Sequence, residues 1–314
     1  MRLFAAFLKM IRLPNLFFIA LTQVLFYGCI QRPVLERAGG EAAFDPVSFV
    51  LLVAASVLIA AAGYIINDYF DINIDQVNKP RDNVVDTIVS RRWAMLWHMI
   101  LSGAGVAASF WVFLRTGLWY VAVVNFLCVI LLFLYSASLK KKLLSGNILI
   151  SLLTAWVILV LCFSQWDLQH PAPDTALQQA DHKIVRLGFL YAAFAFVISL
   201  IREAIKDMED LEGDARYGCR TMPIRWGLTA TKVYVAVWLV VLVAVVVTAQ
   251  VYVMQFRWWW PNLYSTLVIV VPLVFLFLRL FRASGSAAFH SLSQLTKWVM
   301  LAGILSMAFF RFYL

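Results

Sequence analysis

Residues 46–75 read PVSFVLLVAASVLIAAAGYIINDYFDINID. The run from Pro46 to Ile66 carries no charged side chain, and then Asp68, Asp71 and Asp75 arrive together. An apolar run of about 20 residues is what a helix needs to cross the hydrocarbon of a bilayer. Spanning β-strands would be about half as long and would alternate in polarity, which this stretch does not. Working outward, comparable runs fall near 13–31, 93–114, 118–136, 148–166, 184–202, 229–251, 262–281 and 295–313. With 46–67 they make nine. Composition agrees: 63% of the 314 residues are hydrophobic and 14% charged, and mean hydropathy is +0.84. Soluble domains hold about 45–50% apolar and about 25% charged residues. Disorder, a disulfide-rich secreted module and a soluble α/β enzyme are excluded. The expectation is an all-α polytopic membrane protein, nine transmembrane helices in one bundle, with 1–314 forming a single domain.

Arg2, Lys9 and Arg12 before an apolar stretch have the look of a signal peptide. The stretch is too long for one and no A-x-A site follows, so it reads as a retained membrane helix. Cys29, Cys128, Cys162 and Cys219 are widely spaced with no CxxC pair, and point to neither a zinc site nor a disulfide framework. Nine spans place alternate loops on opposite sides. The N-terminus and the even-numbered loops hold 19 of the 26 Lys and Arg residues. By the positive-inside rule that side is cytoplasmic, with the N-terminus inside and the C-terminus outside the cell membrane. The net charge of +9 therefore reflects loops facing an anionic membrane surface; basic residues confined to membrane edges do not imply nucleic acid. Trp258-Trp259-Trp260 falls on the outer side, where aromatic belts form.

The carboxylates are few and clustered. Asp68, Asp71 and Asp75 close the second span; Asp207, Asp210 and Asp214 close the sixth. Both sets read D-x2-D-x3-D, and the offset is 139 residues at each position. On a helix, at about 100° per residue, each trio falls within an arc of about 60°. Two facing stripes of carboxylates repel and lose solvation, a conflict that divalent cations remove. Oxygen ligands without Cys or His select Mg2+, whose open coordination positions suit phosphate oxygens. Cations surround the acids: Lys79 and Arg81 after the first cluster, Arg202 and Lys206 before the second, Arg216 and Arg220 after it, and Lys140-Lys141-Lys142 in the loop between. Lys141, Lys142, Arg91 and Arg92 are read as ordinary positive-inside residues. Lys79, Arg81 and Lys140 are candidates to compensate phosphate charge.

The pair N67-D-x-x-D-x-x-x-D75 and D207-x-E-D-x-x-G-D214 resembles the two Asp-rich motifs of the UbiA superfamily of intramembrane prenyltransferases. The wording NDYFDINIDQVNKP at 67–80 and REAIKDMEDLEGDARYGCRTMPI at 202–224 is most similar to its branch of geranylgeranylglycerol-phosphate geranylgeranyltransferases. The resemblance implies a lipid-accessible cavity in which Mg2+ binds a prenyl diphosphate, here a geranylgeranyl one. It also implies a lipidic acceptor, the glycerol hydroxyl of geranylgeranylglyceryl phosphate, with no obligate protein partner. Asn67, Asp71 and Asp75 with Asp207 and Asp214 would hold the metal, and Asp68 and Asp210 would act as ligands or orient them. Asp71, Asp75, Asp207, Asp214 and Lys140 are the catalytic candidates. Arg12, Asn15, Tyr135 and Lys140 match positions that line the family's diphosphate pocket. Lys79, Arg81, Lys206, Arg216 and Arg220 are further substrate-binding candidates, with Lys140, Arg216 and Arg220 available for an acceptor phosphate. An aromatic quinone precursor is the alternative acceptor. A secondary transporter also fits nine spans with intramembrane acids, but transporter sites usually lie near the bilayer midplane on broken helices.

The charge bias predicts topology directly. A reporter fused after Leu314 should read as outside, and one inserted within 140–146 as cytoplasmic; the opposite pattern would reverse the face on which both acidic clusters lie.

Overall fold

The computed structural model describes residues 2–78, 84–165 and 176–313 and is helical nearly throughout. Among the described residues nine helices are long and apolar enough to cross a membrane. A short amphipathic helix, α1 (Arg2–Met10), precedes them. Then follow α2 (Leu13–Arg37), α3 (Pro46–Asn78), α4 (Arg91–Thr116), α5 (Trp119–Ala137), α6 (Ser145–Cys162) and α7 (Ala176–Glu209). A short α8 (Leu211–Arg216) leads into α9 (Met222–Met254), α10 (Trp259–Leu280) and α11 (Ser286–Tyr313).

Polarity is inverted relative to a soluble protein. Trp111, Val240, Leu278 and Trp298 are exposed, whereas Gln23, Gln31, Ser109 and Thr296 are fully buried. Lipid offers no hydrogen bonds, so polar groups turn inward and hold helices together. Gln23 on α2 donates from Nε2 to Ser56 Oγ of α3 (3.0 Å) and to the Val157 carbonyl of α6 (3.2 Å). Asn125 on α5 donates to Ser109 Oγ of α4 at 2.8 Å.

Two helices organise the bundle. α3 packs against α2, α4 and α5, and α7 packs against α6, α9 and α11. At 33 and 34 residues they are each about 50 Å long, against about 30 Å of hydrocarbon, so their ends project past the apolar slab. Those projecting ends carry the aspartates. The Trp258–Trp260 triplet lies at the opposite end, with Trp258 packed on Phe310 and Tyr313.

Three local departures from regular helix have visible causes. α2 widens into a π-helical turn at Phe26–Gln31 just before Pro33, and α10 does so at Ser265–Val270 just before Pro272. A proline ring clashes with the carbonyl four residues back, and a wider turn relieves it. Arg12, between α1 and α2, is left-handed (φ 52°, ψ 55°), a conformation costing an L-residue roughly 1–2 kcal/mol. It sharply redirects the chain, so that Ala6, Met10 and Ile11 pack on Ile65 and Ile72 of α3.

α3 and α4 approach closely at Gly105, where an added Cβ would lie 2.7 Å from Ile59 Cγ1 and 3.3 Å from the Ala55 carbonyl oxygen. At Gly103, on the same helix, it would meet nothing within 4 Å. Gly105→Leu should destabilise the detergent-solubilised protein by about 1–3 kcal/mol through overpacking. Gly103→Leu should leave the melting temperature unchanged or slightly raised; equal losses in both would dissociate the helix contact from the effect.

Candidate active site

The first aspartate trio rides one unbroken helix. α3 continues to Asn78, so Asp68, Asp71 and Asp75 share a face as expected. The second trio does not. α7 ends at Glu209, Asp210 leaves helical geometry (φ −92°, ψ 10°), and Asp214 lies on α8. The continuous second stripe expected from the sequence is therefore divided at Asp210. Asn78, the last residue of α3, is bonded to the segment that follows the break. Its Nδ2 donates to the Asp210 carbonyl (3.0 Å), and its Oδ1 accepts from the Gly213 N–H (2.8 Å). The fit is close: a Cβ on Gly213 would come within 2.6 Å of Asn78 Cγ. A further backbone bond, from Arg220 N–H to the Lys141 carbonyl at 2.7 Å, fastens the segment after α8 to the loop carrying Lys140.

These elements enclose a polar chamber of about 350 Å3. Its wall includes Asp68, Asp71, Asp75, Asp207, Asp210, Asp214 and Glu203, together with Lys9, Arg12, Lys140, Lys141 and Lys206. Seven carboxylates against five cations leave a negative surplus suited to added positive charge. Each side has its own internal partners. Lys140 is ion-paired to Asp71 with both side chains nearly buried, 11% and 14% exposed, and it also donates to Asn67 Oδ1 at 3.2 Å. Asn67 Nδ2 donates to Asp71 Oδ2 at 2.8 Å. Arg12 donates to Asp68 Oδ1 at 2.8 Å with its guanidinium 5.1 Å from the Tyr64 ring centroid. Burial alone would lower the Arg12 pKa; the Asp68 carboxylate outweighs it and holds the guanidinium above its ordinary value, firmly charged. Across the chamber, Asn147 at the start of α6 donates to Asp207 Oδ2 at 2.9 Å.

The donor set fits Mg2+. Among the described residues no three of His, Cys, Asp and Glu converge into a closed metal cage. Mg2+ does not require one: it keeps waters and phosphate oxygens, and takes one or two carboxylates from the protein. Among the described residues on this wall the one sulfur is Cys219, whose thiol burial, with Asp214 nearby, pushes up to about 11, so oxygen is the predominant donor type.

The chamber continues into a second cavity, of about 260 Å3 and mostly apolar, running between α2, α3, α5, α6, α7 and α11. Arg12, Asn67, Tyr135, Glu203 and Lys206 line both. Asn15 lines the apolar part with Phe18, Ile19, Leu132, Leu153 and Phe194. Of the expected site residues, Arg12, Asn15, Asn67, Tyr135, Lys140, Lys206 and all six aspartates are thus brought to one connected space. Arg216 and Arg220 are not: both are exposed and outside the cavity wall, Arg216 at the end of α8 and Arg220 in the segment that follows it. Lys79 and Arg81 lie outside the described residues. Among the cavity-lining residues to which the sequence reading assigned no role are Asn78, Asn147, Glu203 and Lys297. In sequence, Asn78 is simply the residue before Lys79-Pro80, and Asn147 the one after Gly146. Glu203 had a usable signal: it lies four residues before Asp207 on the same helical face, and is buried with Arg202 at 3.0 Å. Lys297 lies inside the ninth apolar run and lines the apolar cavity from α11.

Paired Asp-bearing helix ends over an apolar cavity in a nine-span bundle define an intramembrane enzyme acting on a lipid phosphate. The chain matches the UbiA prenyltransferase family over residues 38–310, and it belongs to that family. It is 29% identical over 262 residues to the digeranylgeranylglyceryl phosphate synthase of Methanosphaera stadtmanae, covering 82% of this chain and 86% of that one. The synthase of the same description from Methanoregula boonei is 33% identical over 229 residues, 73% and 72% of the two chains. Among solved structures, one described for digeranylgeranylglyceryl phosphate synthase in membranes superposes with a TM-score of 0.65 at 21% identity, covering 98% and 99%. A UbiA homologue from Archaeoglobus fulgidus bound to DMAPP and Mg2+ gives 0.56 at 14% identity, covering 96% and 99%.

The Asn78 clasp makes a prediction. Asn78→Ala removes both bonds across the two motifs without touching an aspartate, and groups that orient ligands are typically worth 10- to 100-fold. We expect kcat/KM to fall by about that factor with helical content unchanged; wild-type kinetics would remove the clasp from the site.

Proposed function

We propose that this prenyltransferase moves a geranylgeranyl group from its allylic diphosphate to the glycerol hydroxyl of geranylgeranylglyceryl phosphate, with Mg2+, on the cytoplasmic face of the cell membrane. The observation that carries the proposal is the junction of an acid-rich chamber with an apolar cavity, sharing Arg12, Asn67, Tyr135, Glu203 and Lys206. A molecule with an anionic head and a long apolar tail matches that junction. The names of the two relatives favour the glycerol-phosphate acceptor over an aromatic one. The excess of Lys and Arg at the aspartate end supports its cytoplasmic orientation.

Asn67, Asp71 and Asp75 on α3, with Asp207 and Asp214 opposite, would hold Mg2+, and Asp68 and Asp210 would serve as ligands or orient them. When bound, the ion supplies Lewis-acid charge to the diphosphate oxygens. Lys140 and Arg12 are held beside Asp71 and Asp68, within the wall the diphosphate would face. They stabilise negative charge as the allylic C–O bond breaks, because preorganised donors in a desolvated site need little rearrangement. Lys79 and Arg81 follow the first motif closely enough to contribute in the same way. Phe18, Ile19, Leu132, Leu153 and Phe194 hold the isoprenoid tail and keep water from capturing the electron-poor allylic carbon. The acceptor hydroxyl oxygen then bonds to that carbon, and its proton passes to the released diphosphate.

Purified protein incubated with geranylgeranyl diphosphate, Mg2+ and geranylgeranylglyceryl phosphate should yield the diether phosphate by mass spectrometry. Asp71→Ala and Asp214→Ala should each lose at least about 100-fold in rate while staying folded, and EDTA should abolish turnover until Mg2+ is restored. Turnover unaffected by both substitutions and by EDTA would overturn the site. Prenylation of 4-hydroxybenzoate or a naphthoate in place of the glycerol ether would overturn the acceptor alone.

A further inference from the structure

Charge is not evenly distributed along the connected space. The aspartates belong to the polar chamber, whereas deeper along α7 and α11 the wall turns cationic. Arg202 and Lys206 on α7 and Lys297 on α11 all line the apolar cavity, and the acid beside them is Glu203. Glu203 serves both α7 cations, at 3.0 Å from Arg202 and 3.7 Å from Lys206. Arg12, the fourth cation of that wall, is committed to Asp68. One of these groups has unfilled bonding capacity, the Arg202 Nε, which is buried with no acceptor; the charged groups acting on Lys297 are the cations Arg202, Lys206 and Arg12. Lys297 lies eleven residues into α11, about 16 Å from its start, where an ammonium is costly unless something anionic meets it.

We infer that Arg202 and Lys297, with Lys206 at the boundary between the two cavities, form a second anion site, deeper than the aspartates, that receives the phosphate monoester of the acceptor. The inference rests on the glycerol-phosphate reading above and replaces the exposed Arg216 and Arg220 as that anion's partners. Spacing supports it. Arg202 precedes Asp207 by five residues, about 7.5 Å along α7. In a glycerol phosphate the phosphate and the neighbouring hydroxyl are only a few bonds apart, so a phosphate held at Arg202 and Lys297 leaves that hydroxyl able to reach the chamber mouth, where the allylic carbon would lie. A neutral acceptor would leave this cation band uncompensated. The allylic diphosphate has its own partners in Lys140, Arg12 and the metal-binding aspartates.

The test is binding to the full-length protein in detergent micelles with EDTA present. The probes are geranylgeranylglyceryl phosphate and, as the uncharged counterpart, geranylgeranylglycerol. Lys297→Met should weaken the phosphorylated lipid by about 10- to 100-fold and the neutral one by less than about twofold, the scale of a lost charge-assisted hydrogen bond. Lys297→Arg should recover most of the loss, and Arg202→Gln should reproduce the selectivity. Binding of geranylgeranyl diphosphate, measured separately with Mg2+ and without EDTA, should move little in Lys297→Met. Equal weakening of both lipids, or an equal loss for the diphosphate, overturns the assignment. Displacement of the probe by equimolar phosphatidylglycerol also overturns it, since the site would then be a headgroup contact. The two readings fail separately. If wild-type protein binds the phosphorylated lipid but prenylates only an aromatic acceptor, the anion site stands and the reaction assignment falls. If it prenylates the glycerol phosphate while Lys297→Met changes neither its affinity nor its KM, the site falls and the reaction stands.

Discussion

Six aspartates gathered at the ends of two apolar helices repel one another in a place where water is scarce, and much of the surrounding structure answers that repulsion. Coulomb energy between like charges grows as the local dielectric falls, so each carboxylate near the membrane needs a partner. Lys140 meets Asp71, Arg12 meets Asp68, and Asn147 meets Asp207. Several partners sit on geometry that is itself unusual. Arg12 is left-handed, and Lys140 hangs on a 3-10 turn whose exit passes through Leu144 at φ 60°. Strain of this kind persists where the surroundings over-determine it. Here the determining forces are an ion pair and the packing of α1 on α3.

The same constraint explains why the second motif differs from the first. Had α7 run on as a straight helix, Asp207, Asp210 and Asp214 would have formed a rigid stripe like that of α3. The break at Asp210 instead lets α8 fold against Asn78, so that one neutral side chain, bonded at 2.8 Å and 3.0 Å, holds the acidic segments in register without adding charge. An amide is well suited to that role: it donates and accepts, and it brings no desolvated charge of its own. Gly213 completes the contact because any larger residue would occupy the Asn78 site.

Much of this was legible in the residues alone. Nine apolar runs announce nine helices because lipid leaves a spanning backbone few alternatives, and D-x2-D-x3-D at a fixed offset of 139 announces two acidic helix ends that come to face one chamber. What could not be read depends on tertiary contact. Asn78 is indistinguishable from a helix-ending asparagine until Gly213 is brought beside it. Arg216 and Arg220 resemble Lys140 in sequence, each a cation close to an acidic motif, and only their place in the fold separates them. Lys297 falls near the edge of the last apolar run in sequence, although it lies well inside α11. A charge count along the chain registers the side of the membrane, not depth within it.

Depth is what gives the two cavities different chemistry. Near the projecting ends of α3 and α7, negative charge is in surplus, and a cation that retains its water fits there. One or two turns further in, the surplus is positive, and a metal ion would be repelled. On the proposed reading, a diphosphate entering with Mg2+ would be held at the outer level and a bare phosphate drawn to the inner one. An acceptor anchored inward by its phosphate presents its hydroxyl outward, toward the bond that must break. The order of charges along α7, Arg202 and Lys206 before Asp207, would thus orient the two substrates head to head across Glu203, Asn67 and Tyr135, leaving the apolar walls only two tails to accommodate.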